Sequence, residues 1–174
     1  MATTTILPVE EYLRTSYDPD VEYVDGALLE RHVGECRHSR LQFLIGMELG
    51  HREAGRFHTY TGQRLRVAPQ PRYRVPDLCV MALPYQREPV FTHPPHLIIE
   101  ILSPDDEPAD MLEKIADYLK FGVQHVWIPD PYRQRLQTAD RDGVHDRPDL
   151  IVETDLAGRL DFGELFARLD EPSE

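Results

Sequence analysis

Cysteine is scarce: Cys36 and Cys79 are the only two in 174 residues. They fit no zinc-ligand spacing and no disulfide framework, which leaves reduced thiols in a cytoplasm as the plain reading. Long apolar runs are missing, so no segment reaches the length needed to span a bilayer. The N-terminal stretch Met1-Ala2-Thr3-Thr4-Thr5-Ile6-Leu7-Pro8 has neither a basic region nor an apolar core, and no signal peptide is expected. Positive charge is short as well. Nineteen Lys and Arg stand against 31 Asp and Glu, a net charge of −12. That balance argues against a protein that coats nucleic acid through its general field, while leaving room for a local basic groove or a metal-dependent site. Repeats, low-complexity tracts and linkers are absent, so residues 1–174 are expected to form one domain.

What is present is an ordinary globular composition, 41% hydrophobic and 29% charged. A short helix is expected from Val9 to Arg14. Val21 to Val24 and Ala27 to Arg31 flank Asp25-Gly26, the strongest short hairpin signal. A helix follows from Arg37 to Glu53, with Leu41, Leu44, Ile45 and Leu49 at helical spacing and His38 one turn earlier on the same stripe. Phe57 to Tyr60 and Gln63 to Val67 read as a second hairpin, turned at Thr61-Gly62. Arg74 to Met81 reads as one strand, and the proline-rich Pro84 to Pro95 as a surface connection. After a strand from Leu97, Pro108 opens a helix whose expected buried stripe is Leu112, Ile115, Ala116 and Leu119, capped by Gly122. Strands at Gln124 to Ile128, Tyr132 to Ala139, Gly143 to Asp146 and Leu150 to Glu153 lead to a last helix, Phe162 to Leu169. This order predicts an α/β fold, a mixed sheet flanked by helices, with a β-hairpin near the N-terminus.

Two of these strands contain a carboxylate where an apolar residue belongs. The run Leu97-Ile98-Ile99-Glu100-Ile101-Leu102 carries Glu100 at its centre, and Val75-Pro76-Asp77-Leu78-Cys79-Val80 carries Asp77. A buried carboxylate costs several kcal/mol unless a cation, a metal or hydrogen bonds compensate it. Two such strands could bring both groups to one point. Paired carboxylates suit Mg²⁺ or Mn²⁺, and a nearby lysine would then orient or deprotonate an attacking water.

In this order the motifs resemble the catalytic core of the PD-(D/E)xK nucleases and, within them, the bacterial Uma2 family. Glu22-Tyr23-Val24-Asp25-Gly26 resembles the family's entry hairpin and His38-Ser39 the start of its first long helix. Arg74-Val75-Pro76-Asp77 matches the first catalytic strand and Glu100-Ile101-Leu102-Ser103-Pro104 the second. Asp110, Lys114, Tyr118, Gly122-Val123 and Trp127-Ile128-Pro129-Asp130-Pro131 match the elements that follow. The resemblance implies a restriction-endonuclease-like fold and a metal-dependent endonuclease acting on DNA. It implies Asp77 and Glu100 as metal ligands, with the main-chain carbonyl of Ile101 as a further one, and Lys114 as the catalytic cation. The sequence departs from the wider pattern at Leu102, where the superfamily carries its lysine; the Uma2 likeness moves that role to Lys114. Pro129 is a smaller departure. Glu22 and His38 are expected as supporting residues, and a homodimer stays open.

Plainer readings stand beside these. Asp77 could cap or bond backbone in a Pro-turn, Glu100 could pair with an arginine, and Lys114 could be a solvated partner of Asp110. The last of these, an i,i+4 pair on a helix surface, is worth only about 0.3 kcal/mol. Glu22 could be a strand-face charge and His38 a core histidine. Trp127 reads as core, and the remaining histidines show no ligand spacing. From the residues alone, Arg64, Arg66, Arg72 and Arg74 form a local basic cluster upstream of Asp77, a candidate nucleic-acid contact. A non-catalytic module on the same fold, or a hydrolase of a small phosphorylated substrate, are the alternative functions.

Overall fold

The computed structural model describes residues 7–18, 20–30 and 35–170. Arg31, the expected end of the first hairpin, and Met1 to Ile6 lie outside them. No helix of the described residues is long and apolar enough to cross a membrane.

The chain opens with α1 (Val9–Arg14) and the hairpin β1 (Val21–Val24) to β2 (Ala27–Glu30). Val24 pairs with Ala27, so Asp25 and Gly26 form a two-residue turn. Both have positive φ, 50° and 96°, the geometry that favours Asp-Gly in twisted hairpins. Helix α2 (Cys36–Gly50) follows and buries His38, Leu41, Leu44, Ile45 and Leu49 along one stripe, as the spacing predicts.

The next four strands depart from expectation. β3 (Phe57–Thr61) and β4 (Leu65–Ala68) do not pair with each other. β3 pairs with β6 (Leu78–Ala82), and β4 pairs with β5 (Arg72–Arg74). Thr61-Gly62 is therefore a bend, and the reversal lies at Pro69-Gln70-Pro71. The expected strand Arg74 to Met81 is likewise broken at Val75-Pro76-Asp77. Pro76 has no N–H to give a ladder, so the chain leaves one sheet there and enters another. The two bends face each other, for Gly62 donates its amide to the Asp77 carbonyl (3.2 Å). A long antiparallel ribbon thus folds across its middle. One half joins the four-stranded sheet β2-β1-β5-β4, and the other joins a six-stranded sheet.

That larger sheet runs β10-β9-β8-β7-β6-β3, with β7 (Leu97–Ile99), β8 (His125–Asp130), β9 (Arg135–Asp140) and β10 (Gly143–Asp146). β7 and β8 are parallel, joined by α3 (Pro108–Phe121) as a crossover, and the other pairs are antiparallel. Pro108 stands at the first turn of α3. Gly122 ends it at φ 111°, a left-handed cap that a side chain would strain. A separate hairpin, β11 (Ile151–Thr154) and β12 (Gly158–Asp161), precedes α4 (Phe162–Ala167). β12 is absent from the sequence reading, because four residues with one apolar side chain, Leu160, offer too short a pattern.

The sheet's two faces alternate as strand geometry demands. Leu78, Val80, Leu97, Ile99 and Trp127 pack with the α2 stripe and α4. Cys79, Met81, Ile98, Val126 and Ile128 pack with Ile115 and Tyr118 of α3. Trp127 is core, as read. The stripe on α3 is rotated from expectation, however: Leu112 and Ala116 are exposed, whereas Ile115, Asp117 and Tyr118 are buried.

Candidate active site

Hydrogen bonding carries β7 beyond Ile99. Glu100 donates its amide to the Trp127 carbonyl (3.0 Å) and Leu102 to that of Pro129 (2.9 Å). The backbone thus stays extended, and Glu100 falls in phase with Ile98, on the face covered by α3. Leu78 pairs with Ile99 across antiparallel strands, so Asp77, just before β6, meets the residues just after β7. The two carboxylates that the sequence singled out share one end of the sheet.

Asp77 is 4% exposed and Glu100 2%. Asp77 Oδ2 accepts the Ile101 amide at 2.8 Å and lies 3.2 Å from His38 Nε2. The Asp77 carbonyl accepts from Gln42 Nε2 (2.9 Å). Asp77 does bond backbone, as the plainer reading held, but across strands rather than within its own turn. His38, on the apolar stripe of α2, is buried against that carboxylate.

Glu100 meets α3. Tyr118 donates its hydroxyl to Glu100 Oε1. Lys114 Nζ donates to Oε2 at 3.3 Å and lies equally close, 3.3 Å, to Glu22 Oε1. Lys114 and Tyr118 are one helical turn apart and so share a face. Burial is the largest influence on Glu100. It outweighs Lys114 and, together with the Asp77 and Glu22 carboxylates, pushes the carboxyl up to about 7. The same burial raises the Tyr118 hydroxyl well above its ordinary value.

Glu22 arrives from β1 and is 3% exposed. Its Oε2 accepts from Arg74 Nη1 (2.9 Å) and its Oε1 from the Val75 amide (3.0 Å). Arg74 also reaches Asp117 through Nε (2.8 Å) and Nη2 (2.7 Å). Burial opposes its charge, yet Glu22 and Asp117 outweigh burial and hold the guanidinium above its usual range. Glu22 is thus no loose strand-face charge. It joins Lys114, and through it Glu100, to a buried ion-pair network. Removing one member would strand its partners away from water.

The four arginines do not form the common contact surface that the sequence suggested. Arg74 is buried in the Glu22–Asp117 network. Arg72 is taken by Asp117 (2.9 Å), Glu113 (3.1 Å) and Asp25. Arg66 is exposed on β4 while its neighbours Leu65 and Val67 are buried, as alternation predicts, and it donates to the Pro69 carbonyl (2.8 Å). The Arg64 guanidinium lies 4.3 Å from the centre of the Tyr12 ring.

Asp77, Glu100, Ile101, Glu22, His38 and Lys114 line one cleft of about 260 Å³. Its rim adds Asp106, Glu107 and Asp110. Leu102, which holds the place of the superfamily's lysine, packs instead against the apolar cluster between the sheet and α3. The same helix supplies Lys114. Sequence reasoning quoted Tyr118 and overlooked Asp117; the spacing Lys114, Asp117, Tyr118 on one helix was the available signal.

Known proteins share the family pattern and the fold. The model of the Uma2 family, described as "Putative restriction endonuclease", matches residues 9–156. A crystal structure of "a putative nuclease belonging to DUF820" from Anabaena variabilis ATCC 29413 superposes with a TM-score of 0.80 at 24% identity. The match covers 94% of this chain and 99% of the other, and establishes the fold. A DrdV–DNA complex superposes at a TM-score of only 0.43 and 11% identity, over 76% of this chain and 12% of that one, too loosely to bear on function. No curated protein matches the chain.

Proposed function

Since the chain belongs to the Uma2 family, we propose that it is a nuclease that hydrolyses phosphodiester bonds in DNA with a divalent cation. The convergence of Asp77, Glu100 and Lys114 in one cleft carries this reading. The residues fit a hard cation. Glu100 is held up to about 7 by burial and, against the pull of Lys114, by the neighbouring Asp77 and Glu22 carboxylates. A divalent ion would relieve that repulsion. Asp77, Glu100 and the Ile101 carbonyl would hold Mg²⁺ or Mn²⁺, which when bound polarises a phosphoryl oxygen. The acidic rim points the same way, because a bare phosphate would be repelled there.

The protein's own groups divide the remaining work. His38 and the Ile101 amide fix Asp77. Tyr118 fixes Glu100. Lys114 lies between Glu100 and Glu22, where its ammonium orients a water for attack and offsets charge gathering on the phosphate. Arg66 and Arg64 are the candidate contacts for flanking phosphates, since Arg72 and Arg74 are already engaged by carboxylates. The small size of the cleft favours a second reading, hydrolysis of a small phosphorylated substrate.

The test is cleavage of supercoiled and single-stranded DNA with Mn²⁺ or Mg²⁺, beside a small phosphodiester. The wild type is expected to cut DNA, and Glu100→Gln and Asp77→Asn to lose cutting while staying folded. Cleavage of the small ester alone would replace DNA as substrate. Equal cleavage by Glu100→Gln would remove the assigned site.

A further inference from the structure

A second group of ligand atoms lies at the opposite end of β7. His96 immediately precedes that strand, and His125 opens β8. The register Leu97 to His125 brings the two side by side, with ring centres 4.9 Å apart. Their backbones are fixed: His96 donates its amide to the Val80 carbonyl (2.8 Å), and His125 donates its own to the His96 carbonyl (3.3 Å). Asp155 reaches in from the turn between β11 and β12. That turn is pinned by the Ala157 amide donating to Thr154 Oγ1 (2.9 Å). One ligand atom from each of His96, His125 and Asp155 lies within 4.8 Å of the others.

An independent observation says that this group is incomplete. The His96 side chain is only 10% exposed, and its Nε2 has no hydrogen-bond partner among the described residues. Buried polar nitrogens are rarely left so. The Asp155 carboxylate is 3.4 Å from that nitrogen, too poorly aligned to bond it. Two ligands on a tetrahedral zinc, each about 2.0–2.2 Å from the ion, stand about 3.4 Å apart. The spacing is that of two ligands waiting for a common ion. Burial, and for His96 the neighbouring His125, lowers both imidazoles below their ordinary value, which favours the neutral form that ligates.

We propose that His96, His125 and Asp155 form a second metal site, selective for Zn²⁺ or a similar borderline transition ion, which ties the β11–β12 hairpin to the central sheet. The donor set decides the class. Two imidazoles and one carboxylate suit Zn²⁺ or Co²⁺, whereas an all-oxygen set suits Mg²⁺. The fourth position is left to water. The site is four residues along the strand from Glu100, about 13 Å, so it acts apart from the cleft. Its effect is structural, stabilising the hairpin and, with it, the packing of α4.

Untagged protein titrated with Co²⁺ provides the test, since tetrahedral Co²⁺ absorbs visibly and Zn²⁺ displaces it silently. The wild type should show the bands at one equivalent, and Zn²⁺ should bleach them and raise the melting temperature. His125→Ala should abolish them. Asp155→Asn, on an exposed turn and therefore safe for folding, should weaken binding by more than the roughly 10- to 100-fold that an outer-shell loss costs. Glu100→Gln should keep the bands, which separates this site from the cleft. Absence of bands on the wild type, bands that survive both His125→Ala and Asp155→Asn, or loss of bands in Glu100→Gln would each overturn the proposal.

Discussion

At the C-terminal end of β7, Glu100 is held through both oxygens, by Tyr118 and by Lys114. At the N-terminal end, His96 keeps a buried nitrogen that nothing described bonds. The two ends show the capacity to take a cation in opposite ways. Around Glu100 both oxygens are bonded, and what is unrelieved is burial, with repulsion from the Asp77 and Glu22 carboxylates added to it, which push the carboxyl up to about 7. Around His96 there is little charge, and the unrelieved quantity is a missing bond.

The contrast breaks most sharply at Lys114. Lys114→Ala should lower DNA cleavage by about two to four orders of magnitude, the usual size for a lost proton-transfer group. Co²⁺ bands at the far end should not change. Single-turnover cleavage beside the Co²⁺ spectrum reads both. Full activity would reduce the lysine to a neutralising partner of Glu22 and Glu100.

A pH series sharpens the contrast at intermediate size. Glu100 titrates in the folded protein at about 7, above its ordinary 4.5. Between those values the fold keeps a proton that the unfolded chain has released. Stability without metal should therefore fall as pH rises through that window and level off above it. Cleavage should do the reverse, rising about tenfold per unit below the same midpoint as the carboxylate ionises. The imidazole end should fill at lower pH, because His96 and His125 are lowered by burial. Denaturant melts and initial rates from pH 5 to 8 are the measurement. A Glu100→Gln protein with unchanged slopes would show that another group sets them.

The smallest effect belongs to Tyr118→Phe. The lost hydroxyl is a donor that favours ionised Glu100. Its removal should raise the midpoint of the activity profile by about one unit, the lower range for a hydrogen bond to a charge. An unmoved midpoint would show that the phenol only fills space.

Much of this was legible in the sequence, and the failures around the site have one cause. Asp77 and Glu100 stood out because a lone carboxylate in an apolar strand is locally anomalous. The Asp25-Gly26 turn, the α2 stripe and the Gly122 cap were legible for the same reason, being written within a few residues. The α3 stripe was misjudged because Asp117 and Tyr118 are buried by partners from β5 and β7, while Leu112 is left outside. Polarity marks exposure only when no distant charge answers it. The arginines looked like a surface for that reason too, since their partners Glu22, Glu113 and Asp117 come from elsewhere. His96, His125 and Asp155 showed no ligand spacing because β7–β8 pairing and a remote hairpin bring them together.

The crossover through α3 also sets an order of events. Arg74 must find Glu22 across 51 intervening positions, and the parallel β7–β8 pair closes a loop that contains the whole of α3. Contacts of such long sequence separation form late and slowly. During synthesis, the β1–β2 hairpin and α2 can form while Lys114 and Tyr118 are still unmade. A nascent chain that has not reached Lys114 holds the acidic half of the cleft without its cation. The helix that makes the crossover is thus also the one that brings the cleft its cation.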